Sequence, residues 1–272
     1  AYVRWAHSPQ YGQESLALAV TVSSSEWVPQ RMRKVPAVAA LVGGGSLFFV
    51  ARRTARPRAC VLPASGTDSV DKAVRALRKG DVIAVPTDTL YGLATRATHM
   101  RDMQQLYDIK RRSPNNPLAL CLAAVDDVPR YGQCTHLPDG LLEALLPGKV
   151  TVLLHKNSSA PVAAELNFGA PVVGIRVPDS NFLREVIGKL GSAIALTSAN
   201  ISSQESTTDI HEFEEVWKDC AYIFDAGQIS EDRLGSTVVD LTRSGQYSIL
   251  REGSSFDDTV ATLAKFGLMS NR

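Results

Sequence analysis

The chain has 272 residues, of which 44% are hydrophobic and 21% charged, and a formal net charge of +1. That length and balance suit one large α/β domain or two small ones and exclude a disordered tail or a disulfide mini-scaffold. Four scattered cysteines (Cys60, Cys121, Cys134, Cys220) contain no C-x-x-C pair, which argues against a structural zinc site and an oxidised framework and favours a reducing compartment.

Charge is unevenly placed. Residues 1–66 carry eight Lys/Arg against two acids, a local +6 that leaves −5 for the remainder. Within this leader the apolar stretch 37–51, interrupted by Gly43-Gly44-Gly45, falls short of the ~20 residues that span a bilayer. An Arg-rich, acid-poor, serine-containing leader resembles an organelle transit peptide, and a disordered or artefactual extension is the competing reading. These features place the protein in the cytoplasm, the mitochondrion or both.

Regular patterning begins near Thr67. Val70, Ala73, Val74 and Leu77 follow the i, i+3, i+4, i+7 spacing of a helix, with Thr67, Asp68 or Ser69 as N-cap candidates and Gly80 to end it. A strand over 82–85, a loop over 86–93 and a helix over 99–110 come next, the last with Met103, Leu106 and Tyr107 on one face. Further strands are predicted at 118–122, 150–155, 172–177, 193–196, 222–224, 236–241 and 247–250. Helices are predicted at 141–146, 182–190, 212–217 and 259–266. Short apolar strands interleaved with amphipathic helices indicate one α/β domain over 67–255, followed by a C-terminal helix and tail over 256–272.

Familiar catalytic devices are missing from the sequence. Gly148-Lys149 looks superficially like a phosphate loop, but Glu143 and Val150 occupy positions that require Gly and Ser/Thr. The five histidines are scattered, with no H-E-x-x-H, and there is no G-x-S-x-G elbow. What remains is a series of polar clusters at the ends of apolar strands, where open α/β sheets bind ligands. In chain order they are PTDTLYGL (86–93), IKRRSPNNPL (109–118), LLPGKVTVLL (145–154), VGIRVPD (173–179), ALTSAN (195–200), GSTVVDL (235–241) and ILREG (249–253). Each has an ordinary reading too. Lys110 to Arg112 make a solvated helix end, Arg176 alternates outward to water or points into a polar site, and Ser198 and Asn200 make a turn or cradle an anion.

Taken together and in this order, the clusters resemble the YrdC-like threonylcarbamoyl-AMP synthases, over residues 68–253. The resemblance implies a twisted mixed sheet flanked by helices, with a ligand cleft at the strand ends. It also implies a nucleotidyltransferase that joins L-threonine, bicarbonate and ATP, releases pyrophosphate, and feeds tRNA threonylcarbamoyladenosine formation through a downstream transferase. On this basis Lys110, Arg112, Ser198 and Asn200 are the catalytic group. Thr89, Arg176 and Ser236 hold threonine, Asn116, Thr151 and Arg251 join the nucleotide side, and Mg²⁺ travels with ATP. The sequence departs from the family pattern at Lys149 and Glu252, where proline is common. Two other classes compete: an RNA-binding module gripping phosphates through Lys110, Arg111 and Arg112, and a non-catalytic regulator. Steep salt dependence without a threonine requirement marks the first, and absence of ATP turnover marks the second.

Overall fold

The helical spacing of Val70, Ala73, Val74 and Leu77 forms α1, Thr67–Lys79, in a computed structural model that describes residues 60–111, 117–163, 166–201 and 204–271. Gly80 ends the helix in the left-handed region at φ 82°, its N–H returning to the carbonyls of Ala76 and Leu77. At the other end the N-cap is Gly66, and none of the three predicted cap side chains fills that role.

The strands are β1 (Cys60–Pro63), β2 (Ile83–Val85), β3 (Gly92–Arg96), β4 (Ala119–Cys121), β5 (Val150–His155), β6 (Val172–Arg176), β7 (Ile194–Ser198), β8 (Tyr222–Asp225), β9 (Thr237–Asp240), β10 (Gln246–Arg251) and β11 (Met269–Ser270). They form one mixed sheet in the order β1-β8-β2-β3-β7-β4-β6-β5-β9-β10-β11. The helices after α1 are α2 (Met100–Lys110), α3 (Val128–Tyr131), α4 (Leu141–Leu145), α5 (Asn181–Leu190), α6 (Glu214–Trp217) and α7 (Phe256–Lys265).

Side-chain alternation divides the core between the two faces of the sheet. On one face, α1 and α5 pack Val74, Leu77, Leu183 and Val186 against Ile83, Val85, Ala94, Ile194 and Leu196. The other face carries Ala84, Leu93, Ile175 and Ala195, covered by Met103, Leu106, Tyr131, Leu141, Val216 and Leu263 from the remaining helices.

Three strands depart from the sequence reading, one of them β11, a two-residue strand paired with β10 inside the stretch read as C-terminal tail. β3 begins inside the stretch read as loop, because its strand character comes from antiparallel pairing with β2 and β7 on either side. β1 falls within the segment read as leader. It is a mostly exposed edge strand paired in parallel with β8, so it has no buried alternation to betray it. The leader up to residue 59 lies outside the described residues.

Tyr91 fastens the loop between β2 and β3 to the end of β8. Its hydroxyl donates to the Gly227 carbonyl at 2.7 Å and accepts from Ala226 N–H at 2.9 Å. Tyr91→Phe strands both groups and should cost about 1–2 kcal/mol. Burial, the dominant cause, pushes the Tyr91 phenol up from 10.0 to about 12. The folded state therefore keeps a proton that the unfolded chain loses, and this stabilisation is complete below pH 10 and fades as pH rises towards about 12. Buried Cys121 and Cys220, also raised to about 12, act in an overlapping range, so the measurement is a difference. In urea melts, the advantage of wild type over Tyr91→Phe should narrow between pH 8 and pH 11.

Candidate active site

Beyond the reach of α1 and α5, their face of the sheet is lined by small residues. Gly92, Ala119, Gly174, Thr151 and Val238 line a cavity of about 390 Å³. A Cβ at Gly92 would lie 2.8 Å from Leu196 Cδ1, and one at Gly174 would lie 3.2 Å from Thr151 Cγ2, so side chains here would crowd the neighbouring strands. Around these small residues, strand ends and their loops supply the functional groups. Thr89, Lys110, Thr151, Arg176, Ser198, Asn200, Ser236 and Arg251 all line this one cavity. Arg112 and Asn116, singled out with them in the sequence, lie outside the described residues.

These side chains form three linked groups. In the first, α2 ends at Arg111 in a left-handed conformation, φ 49°, and the preceding Lys110 is 1% exposed. Its Nζ donates to the Ser198 carbonyl, to Ser198 Oγ at 3.2 Å and to the Asn200 carbonyl at 2.5 Å. Of the two readings of the charge run, Lys110 follows the site and not the solvated helix end: its ammonium is buried, whereas Arg111 is exposed. Asn200 donates through Nδ2 to the carbonyls of Ile201 and Gln204. Its buried Oδ1 has no partner among the described residues.

In the second group, Arg176 settles the choice between water and a polar site in favour of the site. Its side chain is 7% exposed and pairs with Asp88, itself 5% exposed, while also donating to Thr89 Oγ1 at 2.9 Å. Asp88 accepts in turn from Asp179 N–H at 3.0 Å. Such a charge is tolerated in the interior because both ions are paired and hydrogen-bonded. Arg176 Nε is buried without a partner among the described residues.

The third group joins β5, β9 and β10. Thr151 Oγ1 and Ser236 Oγ are 2.7 Å apart, and Arg251 donates to the Ser236 carbonyl at 2.7 and 3.0 Å and to Ser236 Oγ at 3.0 Å. A register shift after Ile249 sets Arg251 opposite Val238, the re-aiming that a bulge performs. Two glycines make this crossing possible. A Cβ at Gly253 would sit 2.3 Å from the Gly235 carbonyl oxygen and 2.4 Å from Thr237 N. Gly253→Ala must therefore push the strands apart, at about 1–3 kcal/mol, and displace Arg251 from Ser236. A lowered melting temperature together with weakened nucleotide binding is the expected result, read by thermal denaturation and ATP titration.

Sequence reasoning left several contributors unassigned. Asp88 lies inside the PTDTLYGL cluster but carries a role only through Arg176, 88 residues away. Arg233 also lines the cavity, from a stretch with no periodicity to signal it. Glu252, noted as a departure from the family pattern, is also among the residues lining the cavity.

Fold and cleft together define an α/β protein that gathers cationic, hydroxyl and amide groups over one face of a mixed sheet. Residues 75–253 match the sequence model of the Sua5_yciO_yrdC family, described as telomere recombination. The threonylcarbamoyl-AMP synthase of Homo sapiens is 40% identical over 245 residues, which are 88% of this chain and 87% of that one. The enzyme of the same name from Bos taurus is 44% identical over 208 residues, 75% and 74% of the two chains. The crystal structure of P. abyssi Sua5 complexed with L-threonine shares the fold, with a TM-score of 0.66 at 24% identity, covering 79% of this chain and 62% of that one. The chain belongs to the Sua5/YciO/YrdC family.

Proposed function

We propose that this protein is a threonylcarbamoyl-AMP synthase, making the activated intermediate for tRNA threonylcarbamoyladenosine. The observation that carries this reading is convergence. Eight polar residues from segments spread between positions 89 and 251 line a single cavity, in a chain 40% identical to a synthase of that name over 88% of its length.

The chemistry needs no enzyme nucleophile. The neutral amine of threonine and bicarbonate give a carbamate and water. A carbamate oxygen then attacks the α-phosphorus of ATP, the bond to the bridging oxygen breaks, and pyrophosphate leaves. Catalysis by positioning and charge neutralisation suits such a phosphoryl-centre displacement. Lys110 supplies a buried positive charge to the triphosphate, with Arg112 beside it in the chain, and Ser198 and Asn200 complete the cradle. Arg176 and Thr89 hold the threonine carboxylate and polar groups. Ser236 bonds to both Thr151 and Arg251, which suits a position where the amino-acid and nucleotide sides meet, and Asn116 joins the latter. The neutral oxygens of the cleft, including Asn200 Oδ1, which has no partner among the described residues, suit a hard cation such as Mg²⁺ that arrives on the triphosphate and keeps most of its water.

On this reading the product passes to a downstream threonylcarbamoyl-transferase and tRNA, in the cytoplasm or mitochondrion. Among the described residues no helix is long and apolar enough to cross a membrane. The test is pyrophosphate release with threonine, bicarbonate and ATP omitted in turn. Loss of signal on every omission supports the synthase, whereas ATP hydrolysis indifferent to threonine sinks it and returns the RNA-binding or regulatory alternatives.

A further inference from the structure

One charged cluster on the rim of the cleft has no part in the chemistry above. Arg233 lines the cavity three residues before Ser236. Its guanidinium spreads over three acceptors from the segment that follows Asn200. NH1 donates to the Ser206 carbonyl at 2.7 Å and to Glu212 Oε2 at 3.1 Å, and NH2 donates to Glu212 Oε1 at 2.5 Å. Nε lies 3.3 Å from Glu205. Glu212 is committed on its other side, accepting the N–H groups of Thr208 at 2.8 Å and Asp209 at 3.3 Å in the capping box of the short helical turn Ile210–Phe213. The Arg233 guanidinium, with the N–H groups of Thr208 and Asp209, holds the Glu212 carboxyl down at about 2, so the pair stays charged at neutral pH.

This geometry bridges two walls. The segment carrying Gln204 and Ser206, which receives the Asn200 amide, is tied by one planar fork to the segment leading into Ser236 and hence to Arg251 and Thr151. We infer that Arg233 and Glu212 form a positioning pair that sets the spacing between these two walls of the nucleotide side. The inference rests on the synthase reading. Arg233 itself is not a phosphate grip, because two carboxylates already claim it. Nor is the pair a main source of stability, since its side chains are 37% and 30% exposed and ion pairs in that setting contribute little. Of the three residues assigned to threonine, Thr89 and Arg176 stand on other elements and only Ser236 follows Arg233 in the chain, so the pair bears on threonine through Ser236 alone.

The test compares wild type with Glu212→Gln, Arg233→Lys and Arg233→Ala in steady-state pyrophosphate release, with melting temperatures measured alongside. Positioning predicts that all three variants fold and lose about tenfold in kcat/KM for ATP, since small misplacements of catalytic groups are costly. Threonine KM should rise clearly less than ATP KM, because Thr89 and Arg176 hold threonine from elements the pair does not touch, a split that a general loosening of the fold does not give. Lysine should not rescue, because a point charge cannot span the three acceptors. If Arg233 instead gripped phosphate, Arg233→Lys would retain activity and Glu212→Gln would raise it, and either result overturns the inference. So do unchanged kinetics in all three variants, or equal rises in both KM values. A wild-type chain that releases no pyrophosphate with threonine overturns the synthase reading and this inference with it, while an active wild type with unaffected variants overturns the inference alone.

Discussion

Replacing Lys110 with methionine should reduce threonine-dependent pyrophosphate release by about 10²–10³-fold, the scale on which one preorganised electrostatic contact to a reacting group acts. Methionine keeps an unbranched side chain of similar length in a site that is 1% exposed, so the change removes charge and donors more than packing. It leaves the carbonyls of Ser198 and Asn200 without the partner they have in the native protein. Stranded carbonyls cost about 1–3 kcal/mol, enough to lower the melting temperature but not to unfold the domain. Steady-state kinetics on protein verified as folded, with thermal melts beside them, separate the two effects. Full turnover in Lys110→Met would remove the lysine from the triphosphate site. Lys110→Arg is not a conservative control, because a planar fork cannot reproduce the compact ammonium among these acceptors.

Arg176→Ala is the second severe change, and here the structural and chemical losses can be pulled apart. Asp88 would be left buried without its counter-ion, a situation that costs about 3–5 kcal/mol. The combined variant Asp88→Asn with Arg176→Gln removes both charges and should recover most of the melting temperature. Threonine use should not recover with it. If Arg176 holds the threonine carboxylate, loss of that charged hydrogen bond is worth about 1.5–3 kcal/mol, or roughly 10- to 150-fold in the KM for threonine. A double variant with wild-type stability and wild-type threonine KM would show that the pair serves the core alone.

Glu252 follows Arg251 where the family resemblance leads one to expect proline, yet Arg251 makes three bonds to Ser236. The bulge in β10 and the close glycine crossing position that arginine, so a rigid turn after it is not needed to hold it.

Much of the fold was legible before any coordinates. The strand predicted at 150–155 is observed as Val150–His155, and α1 ends at the glycine that sequence chemistry selected. Both depend on near neighbours in the chain: a buried apolar run, a 3.6-residue period, a residue able to take positive φ. β3 escaped because a five-residue strand starting with glycine becomes a strand only through its flanking partners, and exposed β1 escaped because edges carry no buried pattern.

The amino-acid sequence by itself determined the order of the polar clusters, the α/β class and the family, since these rest on residue identity and short-range spacing. Only the tertiary structure decided that Lys110 turns inward, that Arg176 is matched by Asp88, and that Arg233 ties two walls of the cleft together. The physical reason is desolvation. Whether a cation faces water or a site depends on acceptors that reach it from far along the chain, here 88 residues away for Arg176 and 90 for the Lys110 bond to Asn200, and only the packing of strands, loops and α2 brings them within reach.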